Sequence, residues 1–87
     1  MNRGRSQREA VTVIYRLLEA MVAGEFVIAH TLLERASVLD VSGVNSELLE
    51  SISDYLKFNA NDAAKWRLKG AVAGTPYELA ASPLFRR

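Results

Sequence analysis

The sequence predicts an all-α fold, a compact bundle of four to five short helices built on an antiparallel helical hairpin. Three observations predict it. Two strongly apolar patterns with helical spacing, running from Ile14 to Ala36, meet at Ala23-Gly24-Glu25. Turn and cap residues punctuate the rest of the chain at short intervals. The 87 residues, 49% of them apolar, suffice for one small domain that buries about two-thirds of its unfolded surface. A monomer of that kind is marginally stable, so a second copy or another partner is expected to supply further burial. The chain contains no cysteine, which excludes disulfides and thiolate metal sites.

Residues 1–5 show no periodicity and read as a flexible lead-in. Ser6 and Glu9 have the spacing of a capping box, so helix 1 is predicted to start at Ser6. Ala10, Val11, Val13, Ile14, Leu17, Leu18, Ala20, Met21 and Val22 then share an arc of roughly 200°, about twice what one core contact needs. Either other helices of the chain cover both flanks, or one flank meets a second subunit. Gly24 ends the helix as a left-handed cap.

Helix 2 is predicted over Glu25 to about Leu39, with Phe26, Ala29, Leu32, Leu33 and Ala36 on its inner stripe. The short link makes helices 1 and 2 antiparallel neighbours. Gly24-Glu25-Phe26, Ala29, Leu33 and Ala36 together resemble the second helix of a tetratricopeptide repeat. The resemblance stops there: helix 1 lacks that family's aromatic and glycine signature, no proline follows helix 2, and no second repeat is present. It implies helix-hairpin packing and carries over no ligand-binding residues.

After a connector over 38–43, Asn45 is a predicted N-cap for helix 3, Ser46 to about Phe58, with Val44 stapling onto Leu49. Leu48, Leu49, Ile52, Tyr55 and Leu56 form its inner face, opposite Glu47, Glu50, Ser51, Ser53, Asp54 and Lys57. Asn59-Ala60-Asn61-Asp62 offers a cap for helix 4, Asp62 to Ala73, with Trp66 directed away from Leu68 and Val72. A β-hairpin of 65–69 and 75–79 is the alternative; helix is preferred because alanines dominate and β-branched residues are few. Thr75 and Pro76 open a short last helix, Ser82-Pro83 stops it, and residues 84–87 form a flexible tail whose Leu84 and Phe85 can dock.

The formal net charge is only +1, yet it is unevenly laid out. Residues 1–8 carry three arginines, residues 9–56 carry eight acids against Arg16 and Arg35, and residues 57–87 carry six bases against Asp62 and Glu78. Such polarity suits nucleic acid, self-association between basic ends and an acidic centre, or plain solubility. No apolar run is long enough to cross a bilayer and the N-terminus has no secretory pattern, so a cytoplasmic place is the expectation.

No catalytic residues, cofactor or metal are predicted. His30 is the single histidine, and Glu34 one turn later gives an ordinary surface pair without further nitrogen or sulfur ligands. Glu47, Glu50 and Asp54 are neighbours on one solvated face, not two acids across a cleft. The expected function is a non-catalytic interaction or regulatory/adaptor module. Its candidate partner-binding residues are Val11, Tyr15, Leu18 and Val22 on the outer edge of helix 1, for a homodimer, and Glu47, Glu50 and Asp54 for a basic partner. The alternative is a DNA-binding helix-turn-helix regulator, with helix 3 as recognition helix and 65–69 as a wing, using Lys65, Arg67, Lys69, Arg86 and Arg87. The acids of helix 3 oppose that reading, since they would face phosphates with like charge.

Overall fold

The hairpin is closed by the backbone freedom of one glycine. In the computed structural model, which describes residues 3–58 and 61–86, α1 spans Arg3–Val22 and α2 spans Phe26–Leu39. Gly24 has φ of 76°. Its N–H donates to the Met21 carbonyl at 3.1 Å, and the Glu25 N–H donates to the Ala20 carbonyl at 2.9 Å. These two bonds make a Schellman cap and satisfy carbonyls that the helix end would otherwise leave open.

Helices α3 (Ser46–Lys57), α4 (Asp62–Val72) and α5 (Glu78–Ala81) follow, and a 3-10 turn over Ser82–Phe85 completes the chain. No strand occurs among the described residues, so the all-α prediction holds and 65–72 is helix, not hairpin wing. Each helix packs on the next, and α5 with the 3-10 turn returns onto α1. The core lies inside that ring. Ile14, Leu17 and Leu18 of α1, Ile52 of α3 and Leu68 and Val72 of α4 are its fully buried large side chains, each stabilising by about 1.5–3 kcal/mol on burial.

The C-terminal return answers what covers the second flank of helix 1. Tyr15 packs on Tyr77 with ring centroids 5.0 Å apart and a 56° tilt, and its hydroxyl donates to the Pro76 carbonyl at 3.0 Å. Leu84 and Phe85 lie half-buried against the core. The expected tail is therefore helical through Phe85, and Ser82-Pro83 continues the chain instead of stopping it. Proline is tolerated there because the first turn of a helix leaves its N–H unused. Arg87, Met1 and Asn2, assigned to flexible ends, lie outside the described residues, as do Asn59 and Ala60.

Other local expectations are revised. Helix α1 begins at Arg3 and runs through Ser6, and Glu9, the acid the capping box needed, pairs with Arg5 at 3.5 Å. That i,i+4 pair adds about 0.2–0.5 kcal/mol to a helix that spans Ser6. Asn45 stands at the N-cap of α3 but makes no side-chain cap bond; its amide donates to Asp40 instead. Val44 is 76% exposed, so it does not staple onto Leu49. Ser51, expected on the solvent face, is fully buried. Helix α3 packs on both α2 and α4, which widens its buried face, and the Ser51 hydroxyl satisfies itself by donating to the Glu47 carbonyl at 2.9 Å. Asn61 caps α4, accepting from the Ala64 N–H at 2.9 Å.

Candidate interaction surfaces

The outer edge of α1 is mostly used up inside the chain. Leu18 is 0% exposed, which removes it from any free surface. Tyr15 is half-buried and held by Tyr77 and Pro76. Val11 and Val22 are exposed but lie three turns apart with the covered residues between them.

Two residue sets drawn from rival readings meet each other. Arg67 of α4, a nucleic-acid candidate, pairs with Asp54 and, at 3.8 Å, with Glu50 of α3. Both acids were candidates for a basic partner. Each set thus satisfies part of the other within one chain, and Glu47 is left on the exposed side of α3. Such half-exposed pairs orient α4 on α3 more than they stabilise it.

The remaining bases separate from Arg67 by helical phase. Residues 65 and 69 are four apart on α4 and share a face, whereas 67 lies across the axis. Lys65, Trp66 and Lys69, with Asp62, Phe85 and Arg86, line a hollow of about 180 Å³. Trp66 is 69% exposed, and the Lys69 ammonium sits 5.1 Å from its ring centroid. Arg87 lies outside the described residues.

The surface that the sequence reading missed belongs to α2. Only Ala29 and Ala36 of this helix are fully buried. Phe26, Val27, Ile28 and Val38 are exposed, Val27 at 83% and Val38 at 77%. At 100° per residue, Val27, Thr31, Glu34 and Val38 fall on one line opposite the two alanines, spaced four, three and four. Beside this line, between α2 and α3, runs a groove of about 660 Å³ lined by Leu33, Val38 and Leu49 and edged by Glu34 and Glu50. The signal was present in the sequence: nine of the fourteen residues of α2 are apolar, more than one inner stripe requires.

Asp40 also borders the groove, where it is a structural group. It is buried and accepts from the Gln7 amide (2.8 Å), the Asn45 amide (3.1 Å) and the Asn45 backbone N–H (3.0 Å). Gln7 in turn accepts from the Ser42 N–H at 2.9 Å. This knot ties the loop between α2 and α3 to the start of α1. His30 and Glu34 are both exposed on α2.

Among the described residues no three His, Asp or Glu side chains gather as a metal site, and no helix is long and apolar enough to cross a membrane. No family model, curated protein or solved structure matches the chain. The tetratricopeptide resemblance therefore remains one of helix-hairpin packing.

Proposed function

We propose that the protein is a non-catalytic interaction module, of regulatory or adaptor type, that pairs with a second copy of itself through α2. One observation carries this reading: on the face of α2 opposite Ala29 and Ala36, Val27 and Val38 stand exposed at 83% and 77%. Large apolar side chains left exposed at both ends of one helix line are the kind of surface that a partner covers. The bare line is also self-complementary. In a two-fold antiparallel pairing, Val27 meets Val38 of the other copy and Thr31 meets Glu34, since both pairs share a midpoint between Leu32 and Leu33. Valines close both ends of the contact and the polar residues sit at its centre. Burial of this face would also supplement the modest core of an 87-residue chain.

Sedimentation equilibrium tests the reading. The wild-type chain is expected to be dimeric at high micromolar concentration, and V27E/V38E monomeric with unchanged helical circular dichroism. V11E/V22E, on the exposed edge of α1, is expected to stay dimeric. A monomeric wild type removes the proposal, and the opposite response of the two double variants returns the interface to α1.

A further inference from the structure

The hollow around Trp66 uses none of the α2 residues and has its own chemistry. Helix α4 buries Ala64, Leu68 and Val72, and at 100° per residue that stripe leaves Trp66 outside it. The indole is thus 69% exposed and not required by the core, with the Lys69 ammonium 5.1 Å from its ring centroid on one side and the other side left for a flat ligand. Around it the chain gathers three cations, Lys65 and Lys69 from α4 and Arg86 from beyond the 3-10 turn, with Phe85 as a second ring and Asp62 as the single acid in the lining. A second hollow of about 280 Å³ shares Lys69, Phe85 and Arg86 and extends the concavity past Val72 and Ser82, with Glu78 on its border. Meanwhile Arg67 is drawn to the other side by Glu50 and Asp54. Cations on the indole side are therefore not spent on the acids of α3.

The geometry points to a binding site for single-stranded nucleic acid, in which a base stacks on Trp66 while Lys65, Lys69 and Arg86 meet the phosphates on either side. An exposed aromatic flanked by cations in a shallow groove is what unpaired bases need, because every base has a π-face and every linkage carries a charge. A duplex offers phosphates but keeps its base faces stacked away, so it leaves the indole idle. A first hollow of about 180 Å³ also suits one flat base better than an inserted helix or strand. This differs from reading α3 as a recognition helix, and it assigns no contact to Arg67.

Trp66 is the single tryptophan, so its emission reports the contact directly. The probe is a fluorescein-labelled twelve-residue oligothymidylate at low salt, followed by anisotropy alongside indole fluorescence. Binding is expected to quench the indole, and three phosphate contacts set a log–log salt slope of about −2. Trp66→Ala weakens binding roughly 5- to 150-fold, whereas Trp66→Phe, which keeps a ring, retains most of it. Lys65→Ala with Lys69→Ala flattens the slope to about −0.7, and Arg67→Ala stays within twofold of wild type. Circular dichroism checks that each variant keeps its helices. The proposal is overturned by absence of binding at low salt, by binding without quenching, or by Arg67→Ala losing as much as the lysine pair. Equal or tighter binding of a duplex of the same length overturns it as well. So does equal quenching by phosphatidylserine vesicles or polyglutamate, which would make the site a membrane or acidic-protein contact.

Discussion

At position 40 a carboxylate replaces the water it has lost with three donors from two segments, Gln7 of α1 and Asn45 ahead of α3. The local signals at these positions point elsewhere, and for that reason the knot was invisible in the sequence. Asp40 read as a turn former and Asn45 as a cap, and both readings concern the nearest few residues only. The long partner, Gln7, lies 33 positions away. Asp40→Ala is expected to destabilise the chain by about 1–3 kcal/mol, since it strands the Gln7 and Asn45 donors beside a buried site. Asp40→Asn should cost less, because one amide oxygen can still accept while its nitrogen opposes a remaining donor. Urea unfolding of both variants measures this. Equal stability of wild type and Asp40→Ala would show that water substitutes fully for the carboxylate.

At the scale of elements, two glycines make opposite predictions from the same packing fact. A methyl group added at Gly24 or at Gly70 meets no atom within 4 Å, so backbone conformation alone decides. Gly24 sits in the left-handed region at φ +76°, and alanine there costs about 1–2 kcal/mol. Gly70 lies in the body of α4 with no positive φ, and alanine there stabilises by about 0.5–1 kcal/mol. Thermal melts of the two variants are expected to move in opposite directions. The Gly24 cap and the hairpin were legible because three short-range signals coincide: the glycine, the end of one apolar pattern and the start of another. The excess apolar arc of helix 1 was legible too, but not what covers it. Helix α5 has four residues, too few for a periodic signal, and the docking of Tyr77, Leu84 and Phe85 depends on the path of the whole chain. Helical spacing points to a single inner stripe on α2, and Val27, Ile28 and Val38 lie exposed outside it. Which of two apolar faces meets α1 is fixed by the small alanines that let the helices approach.

Over the whole molecule, the chain forms a flattened body of 43 × 27 × 18 Å, and the return of α5 onto α1 closes its ring of helices. The uneven charges along the sequence are sorted by that closure. Basic α4 lies against acidic α3 through Arg67, while Lys65, Lys69 and Arg86 remain together on the side of the indole. The closure also has a pH signature. Burial pushes the Tyr77 hydroxyl above its usual value near 10, with the nearby Tyr15 and Asp40 adding to the effect, and burial alone does the same to Tyr55. A phenol that ionises less readily when folded releases its proton first in the unfolded chain. Its contribution to stability is therefore complete below the unfolded value of about 10, and it is lost as pH rises through the higher folded value. Urea midpoints are expected to show no tyrosine-linked change through neutral pH and to fall above pH of about 10. Tyr77→Phe keeps the ring against Tyr15 and removes the ionising group, so its midpoint should decline less steeply than that of wild type. Tyr55→Phe should act in the same direction at the contact of α3 with the core. If the wild type and both variants lose stability in parallel, alkaline unfolding is driven by lysine deprotonation at the surface and not by the ring pair that closes the fold.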